Sequence, residues 1–89
     1  MDIEEVNKLK NLIIKAAKDY HNKDIAQEDI RADSSLSSLG LDSLDAVEIL
    51  LLIESSFDID LSSIKDFQST ETFSDFCFLI ENARQENSQ

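Results

Sequence analysis

The chain has 89 residues, enough for one domain and too few for two, and its 42% apolar content argues against wholesale disorder. Eight Lys and Arg stand against 19 Asp and Glu, a net charge of −11. Such a field repels phosphate backbones and anionic lipid surfaces, so nucleic acid and membrane are poor partners and proteins with basic patches are good ones. The charge is uneven: residues 1–20 balance four bases against four acids, whereas no base at all lies between Arg31 and Lys65. Proline is absent and Gly40 is the single glycine, which favours helices over a many-turned sheet. Cys77 has no disulfide partner in the chain, and no apolar run with basic flanks marks export, so the cytoplasm is the expected compartment.

The first predicted element is a helix from Asp2 to Tyr20. Ile3, Val6, Leu9, Ile13, Ala16, Ala17 and Tyr20 recur at three- and four-residue spacing and form one stripe, with Asp2 as cap and Glu5 in the first turn. Residues 21–42 lose that period. They carry isolated apolar anchors, Ile25, Ile30, Leu36, Leu39 and Leu41, among Asp, Ser and Asn, and read as a long loop pinned to the core. A second helix starts at Asp42 or Ser43 and runs to Phe57, capped by Asp42 and answered by Asp45. Residues 61–67 suggest a short helix anchored by Leu61, Ile64 and Phe67. The last helix begins at Thr72, where Thr72 and Asp75 resemble a capping box, and its core side is Phe73, Phe76, Cys77, Ile80 and Ala83. Gln85–Gln89 reads as a polar, disordered tail. The expected architecture is all-α: one domain over 1–89, a four-helix bundle with a short third helix and a long loop between helices one and two.

The second helix has one feature that a core element does not need. Ala46, Ile49, Leu50, Ile53 and Phe57 share a sector suited to the core, yet Leu44, Val47 and Leu51 fall on the opposite side with Glu48 and Glu54. An exposed apolar stripe bordered by carboxylates suits docking of a basic, grooved partner, and Asp45 joins the acidic set. The alternative is that the last helix or the long loop folds over this face. Ser43 heads the same helix, where free N–H groups and the dipole favour a phosphate, although a serine there commonly serves only as part of a cap. The only histidine, His21, ends helix one and reads as a surface or packing residue. No G-x-S-x-G elbow or dense carboxylate cluster nominates a hydrolase or a metal site, so neither catalytic nor metal-ligating residues are assigned.

The stretch Leu39-Gly40-Leu41-Asp42-Ser43-Leu44-Asp45-Ala46-Val47-Glu48 resembles the phosphopantetheine attachment site of acyl carrier proteins. The likeness continues through Glu54-Ser55-Ser56-Phe57 and Thr72-Phe73-Ser74-Asp75, and so spans nearly the whole chain. It implies a carrier that is not an enzyme, with 4′-phosphopantetheine from coenzyme A on Ser43 and Asp42 beside it in contact with the transferase and its Mg²⁺. The implied partners are a phosphopantetheinyl transferase and the enzymes that load, elongate and transfer acyl thioesters, met by a monomer through Leu44, Asp45, Val47, Glu48, Leu51 and Glu54. Leu41, Ser55, Ser56 and the serine-containing 61–68 region depart from the commonest fatty-acid carriers. They leave fatty-acid, polyketide, non-ribosomal peptide and specialised lipid pathways open. The competing reading is an acidic helical interaction domain that is never modified.

Overall fold

The computed structural model describes residues 1–61 and 71–87, with side chains described as far as Arg84. Among the described residues there are three α-helices and no strand: α1 (Ile3–His21), α2 (Ser43–Phe57) and α3 (Phe73–Asn87). The short helix expected over 61–67 lies outside them apart from Leu61, which is buried.

Local chemistry sets each helix end. Asp2 caps α1 by accepting the Glu5 N–H at 2.9 Å, and Glu4 and Glu5 complement the positive end of the dipole. Asn22 closes α1 in the left-handed conformation (φ 51°), which asparagine tolerates better than most residues, and its N–H returns to the Lys18 carbonyl at 3.0 Å. At α3, Thr72 Oγ1 accepts the Asp75 N–H (3.3 Å) while Asp75 Oδ2 accepts the Thr72 N–H (3.0 Å), the reciprocal box expected from the sequence. The helix continues to Asn87, into the stretch read as tail.

The core is built from one stripe of each helix: Leu9, Ile13, Ala16 and Ala17; Ile49, Leu50, Ile53 and Phe57; Phe73, Phe76, Leu79, Ile80 and Ala83. The stripe of α1 is shorter than its spacing suggests. Ile3 and Tyr20 are both exposed. On α3, Leu79 is buried whereas Cys77 is only half-buried, and Ala46 of α2 is likewise at the margin. Burial pushes the Cys77 thiol above its ordinary pKa, as suits a packing residue.

The long loop is pinned as expected. Ile25, Ile30, Leu36, Leu39 and Leu41 are all buried, with short 3₁₀ turns at Gln27–Asp29 and Ser37–Leu39 between them. The loop also satisfies the start of α3: the Phe73 and Ser74 N–H groups donate to the Ser34 and Ala32 carbonyls at 2.9 and 3.0 Å, and the Leu36 N–H donates to the Glu71 carbonyl at 3.1 Å. Helix-terminal donors have no partner within their own helix, so these bonds lock loop and helix together. The chain therefore arrives at α2 from a fixed direction.

Candidate functional site

The approach to Ser43 is a turn that requires glycine. After the Ser37–Leu39 turn, Gly40 adopts φ 81°, and Leu41 folds back so that its N–H reaches the Leu36 carbonyl at 2.8 Å. A side chain at Gly40 would be strained in that left-handed conformation. Leu41, bulkier than the resemblance leads one to expect, is buried here and anchors the turn.

Asp42 then caps α2. Its Oδ1 accepts the Leu44 and Asp45 N–H groups at 3.0 and 3.1 Å, and Asp45 Oδ2 accepts the Asp42 N–H in return at 2.8 Å. Ser43 is the first residue of the helix and is exposed. No hydrogen bond engages its hydroxyl among the described residues, so the cap is made by Asp42 and the serine is left over. Beside it lies a groove of about 660 Å³, walled by Leu36, Leu41, Ala46, Val47 and Leu50 and rimmed by Ser35, Ser37, Asp42, Ser43 and Glu71. Apolar walls with a few polar rim groups suit a flexible, mixed-polarity arm attached at the serine.

The side of α2 turned away from the core, which meets the groove at Val47, is open. Leu44, Val47 and Leu51 are 75%, 49% and 54% exposed, so neither the loop nor α3 covers them. Three carboxylates expected on this surface also take part in the fold, and one of them, Asp45, is buried by it. Asp45 is buried at 4% exposure, its Oδ2 meeting both the Asp42 N–H and His21 Nε2. That makes it part of the folding machinery rather than a docking residue. Glu54 is half-buried and accepts the Leu61 N–H through Oε2 at 3.0 Å. Glu48 is half-buried too and accepts the Tyr20 hydroxyl at 3.1 Å, which raises the Tyr20 pKa.

The His21–Asp45 contact is the part of the site that sequence reasoning missed. Burial alone would push the Asp45 carboxyl up, but the Asp42 N–H and the His21 ring outweigh it and hold the carboxyl below its ordinary value. No local signal announces this pair, because its members lie 24 residues apart on different helices. Among the described residues no cluster of His, Cys, Asp and Glu could hold a metal ion, and no helix is long and apolar enough to cross a membrane.

Comparison with known proteins agrees with this geometry. The family model for the phosphopantetheine attachment site matches residues 23–78, from the long loop into α3. Acyl carrier proteins of Buchnera aphidicola subsp. Acyrthosiphon pisum, from strains Tuc7, 5A and APS, are each 46% identical to this chain over 44 residues. The match covers 48% of this chain and 55% of each relative, so the chain spans about half the length of the curated relatives it matches. An exposed serine heading a capped helix beside an apolar groove, within a matched span that takes in well over half of the sequence, leads to one conclusion: the chain belongs to the acyl carrier protein family of phosphopantetheine attachment domains, which are carriers and not enzymes and bear 4′-phosphopantetheine covalently.

Proposed function

We propose that this protein is an acyl carrier whose Ser43 bears the phosphopantetheine arm and delivers acyl groups to partner enzymes of fatty-acid, polyketide or specialised lipid synthesis. The observation that carries the proposal is the exposed Ser43 hydroxyl, free of any hydrogen bond among the described residues and set at the positive end of α2 beside the apolar groove.

The chain's own part in the chemistry is presentation. A transferase joins Ser43 Oγ to the pantetheine-side phosphorus of coenzyme A as a phosphodiester; the diphosphate P–O–P bond breaks, adenosine 3′,5′-bisphosphate leaves and the hydroxyl proton is lost. The positive end of the α2 dipole favours the phosphate that stays behind. Asp42 holds the turn through Oδ1, and its Oδ2, which takes no part in the cap, is the atom we assign to contact with the transferase and its Mg²⁺. Leu44, Val47 and Leu51 supply the apolar centre of the docking face, and Glu48 and Glu54 supply acidic edges that attract basic partners. Once attached, the arm supplies a terminal thiol on which acyl groups ride as thioesters.

Acyl carriage is tested by isolating the protein from its own cells and treating it with neutral hydroxylamine, which cleaves thioesters. Acyl groups released from wild type and absent from Ser43→Ala support the reading. A wild type that releases no acyl group contradicts it and favours the unmodified interaction domain.

A further inference from the structure

Ser43 sits on a turn whose order depends on a contact from another helix. Asp45 is the only charged side chain buried among the described residues. A buried carboxylate must be hydrogen-bonded to be tolerated. The stretch between Arg31 and Lys65 contains no base, so neither the turn nor α2 can supply a cationic partner from nearby sequence. The end of α1 supplies a hydrogen-bond donor instead. His21 Nε2 lies 2.7 Å from Asp45 Oδ2, the same oxygen that accepts the Asp42 N–H at 2.8 Å. An ionised carboxylate only accepts hydrogen bonds, so the imidazole is the donor.

Tyr20, the preceding residue, donates to Glu48, one turn further along α2. Consecutive residues of α1 thus grip α2 at two points one turn apart, and the first is the return half of the capping box around Ser43. Both bonds at Asp45 fall on one oxygen. Any displacement of the carboxylate that follows loss of His21 is therefore felt directly at the Asp42 N–H, one residue before the serine.

We propose that His21 is a positioning residue for modification of Ser43: by donating to Asp45 it orders the Asp42–Asp45 cap that presents the serine to the transferase. This rests on the assignment of Ser43 as the attachment point. His21 touches neither the serine nor the arm; it acts through Asp45. A donor in the same place is what matters, so glutamine, whose side-chain NH₂ can donate, is expected to substitute where alanine cannot.

The test uses the full chain with coenzyme A, Mg²⁺ and a purified phosphopantetheinyl transferase, at a temperature where every variant is folded. His21→Ala is expected to load about fivefold more slowly in kcat/KM, the size of effect that loss of a helix cap produces. His21→Gln is expected to recover most of the wild-type rate. Ile80→Val, a core substitution on α3, serves as the stability control and is expected to load like wild type. Amide hydrogen exchange gives a readout independent of loading: in His21→Ala the Asp42, Leu44 and Asp45 amides should exchange faster relative to the rest of α2. A wild type that gains no arm overturns the assignment of Ser43, while the exchange data still decide whether the clamp exists. Unchanged exchange at those amides overturns the clamp. Loading of His21→Ala at the wild-type rate, equal slowing by Ile80→Val, or no rescue by glutamine overturns the positioning role.

Discussion

Two residues on opposite sides of one turn of α2, Leu51 and Ile53, have similar side chains and opposite environments. Ile53 is 0% exposed in the core and Leu51 is 54% exposed on the open face. Ile53→Ala removes methylene and methyl groups from a packed site and leaves a cavity, which costs roughly 2–5 kcal/mol. For a domain of this size each kcal/mol lowers the melting temperature by about 4–8 °C, so the variant should melt at least ~8 °C below wild type. Leu51→Ala removes mostly solvated surface and keeps a good helix former, so stability should move by about 0.5 kcal/mol or less. Its cost should fall on docking: losing part of an apolar contact at the centre of an interface is worth about 1 kcal/mol, roughly fivefold in kcat/KM for the transferase. Because that contact is uncharged, the defect should persist at high salt. Circular-dichroism melting and loading kinetics at two ionic strengths separate the two roles. If Leu51→Ala melts as low as Ile53→Ala, the face assigned to partners is core and the reasoning fails.

Three further outcomes follow from charge. Glu48→Lys gives up the Tyr20 hydrogen bond, a net cost of about 1 kcal/mol, and should in addition slow loading, with the loading defect shrinking as salt screens the encounter; a defect independent of salt would contradict electrostatic docking. Added salt, or divalent cations at the millimolar scale, should raise the melting temperature by screening the carboxylates between Arg31 and Lys65, and a melting temperature indifferent to salt would show that their repulsion is unimportant. The Thr72 and Glu71 N–H groups hold the Asp75 carboxyl below its ordinary value, so its contribution is complete above the unfolded-state pKa of about 3.9 and is lost as pH falls through the lower folded one. Asp75→Asn should therefore unfold at lower urea than wild type at pH 7, with the gap closing below about pH 4; a gap constant down to pH 2 would argue against that linkage.

What the sequence disclosed, and what it did not, divides along local and long-range physics. Asp2, Asp42 and Thr72 were legible as caps because each acts on N–H groups two or three residues away. The five loop anchors were legible because an isolated apolar residue in a polar stretch has one way to be satisfied, and all five are buried. The separation of α2 into a core face and an open face followed from helical period alone. Period was less decisive at the edges of a stripe. On α3, Cys77 and Leu79 flank the sector of Phe73, Phe76, Ile80 and Ala83 at about 80° on either side of its centre, so spacing cannot rank them. Packing chose the larger aliphatic side chain. Ile3 and Tyr20 fit the stripe of α1 by spacing yet are exposed. Asp45 was legible as the answer to the Asp42 cap but was also counted among the docking acids. Only the fold, by bringing the end of α1 to the start of α2, shows that it faces inward to His21.

The assignment of Ser43 is tested most directly by mass. Purified protein is incubated with coenzyme A, Mg²⁺ and a phosphopantetheinyl transferase, and intact wild type is compared with Ser43→Ala, whose folding is checked by its helical spectrum. Wild type should gain the mass of one phosphopantetheine, recovered by tandem mass spectrometry on the peptide containing Ser43, and Ser43→Ala should gain nothing while staying helical. A wild type that gains no mass, or a Ser43→Ala variant that is still modified, would contradict the account.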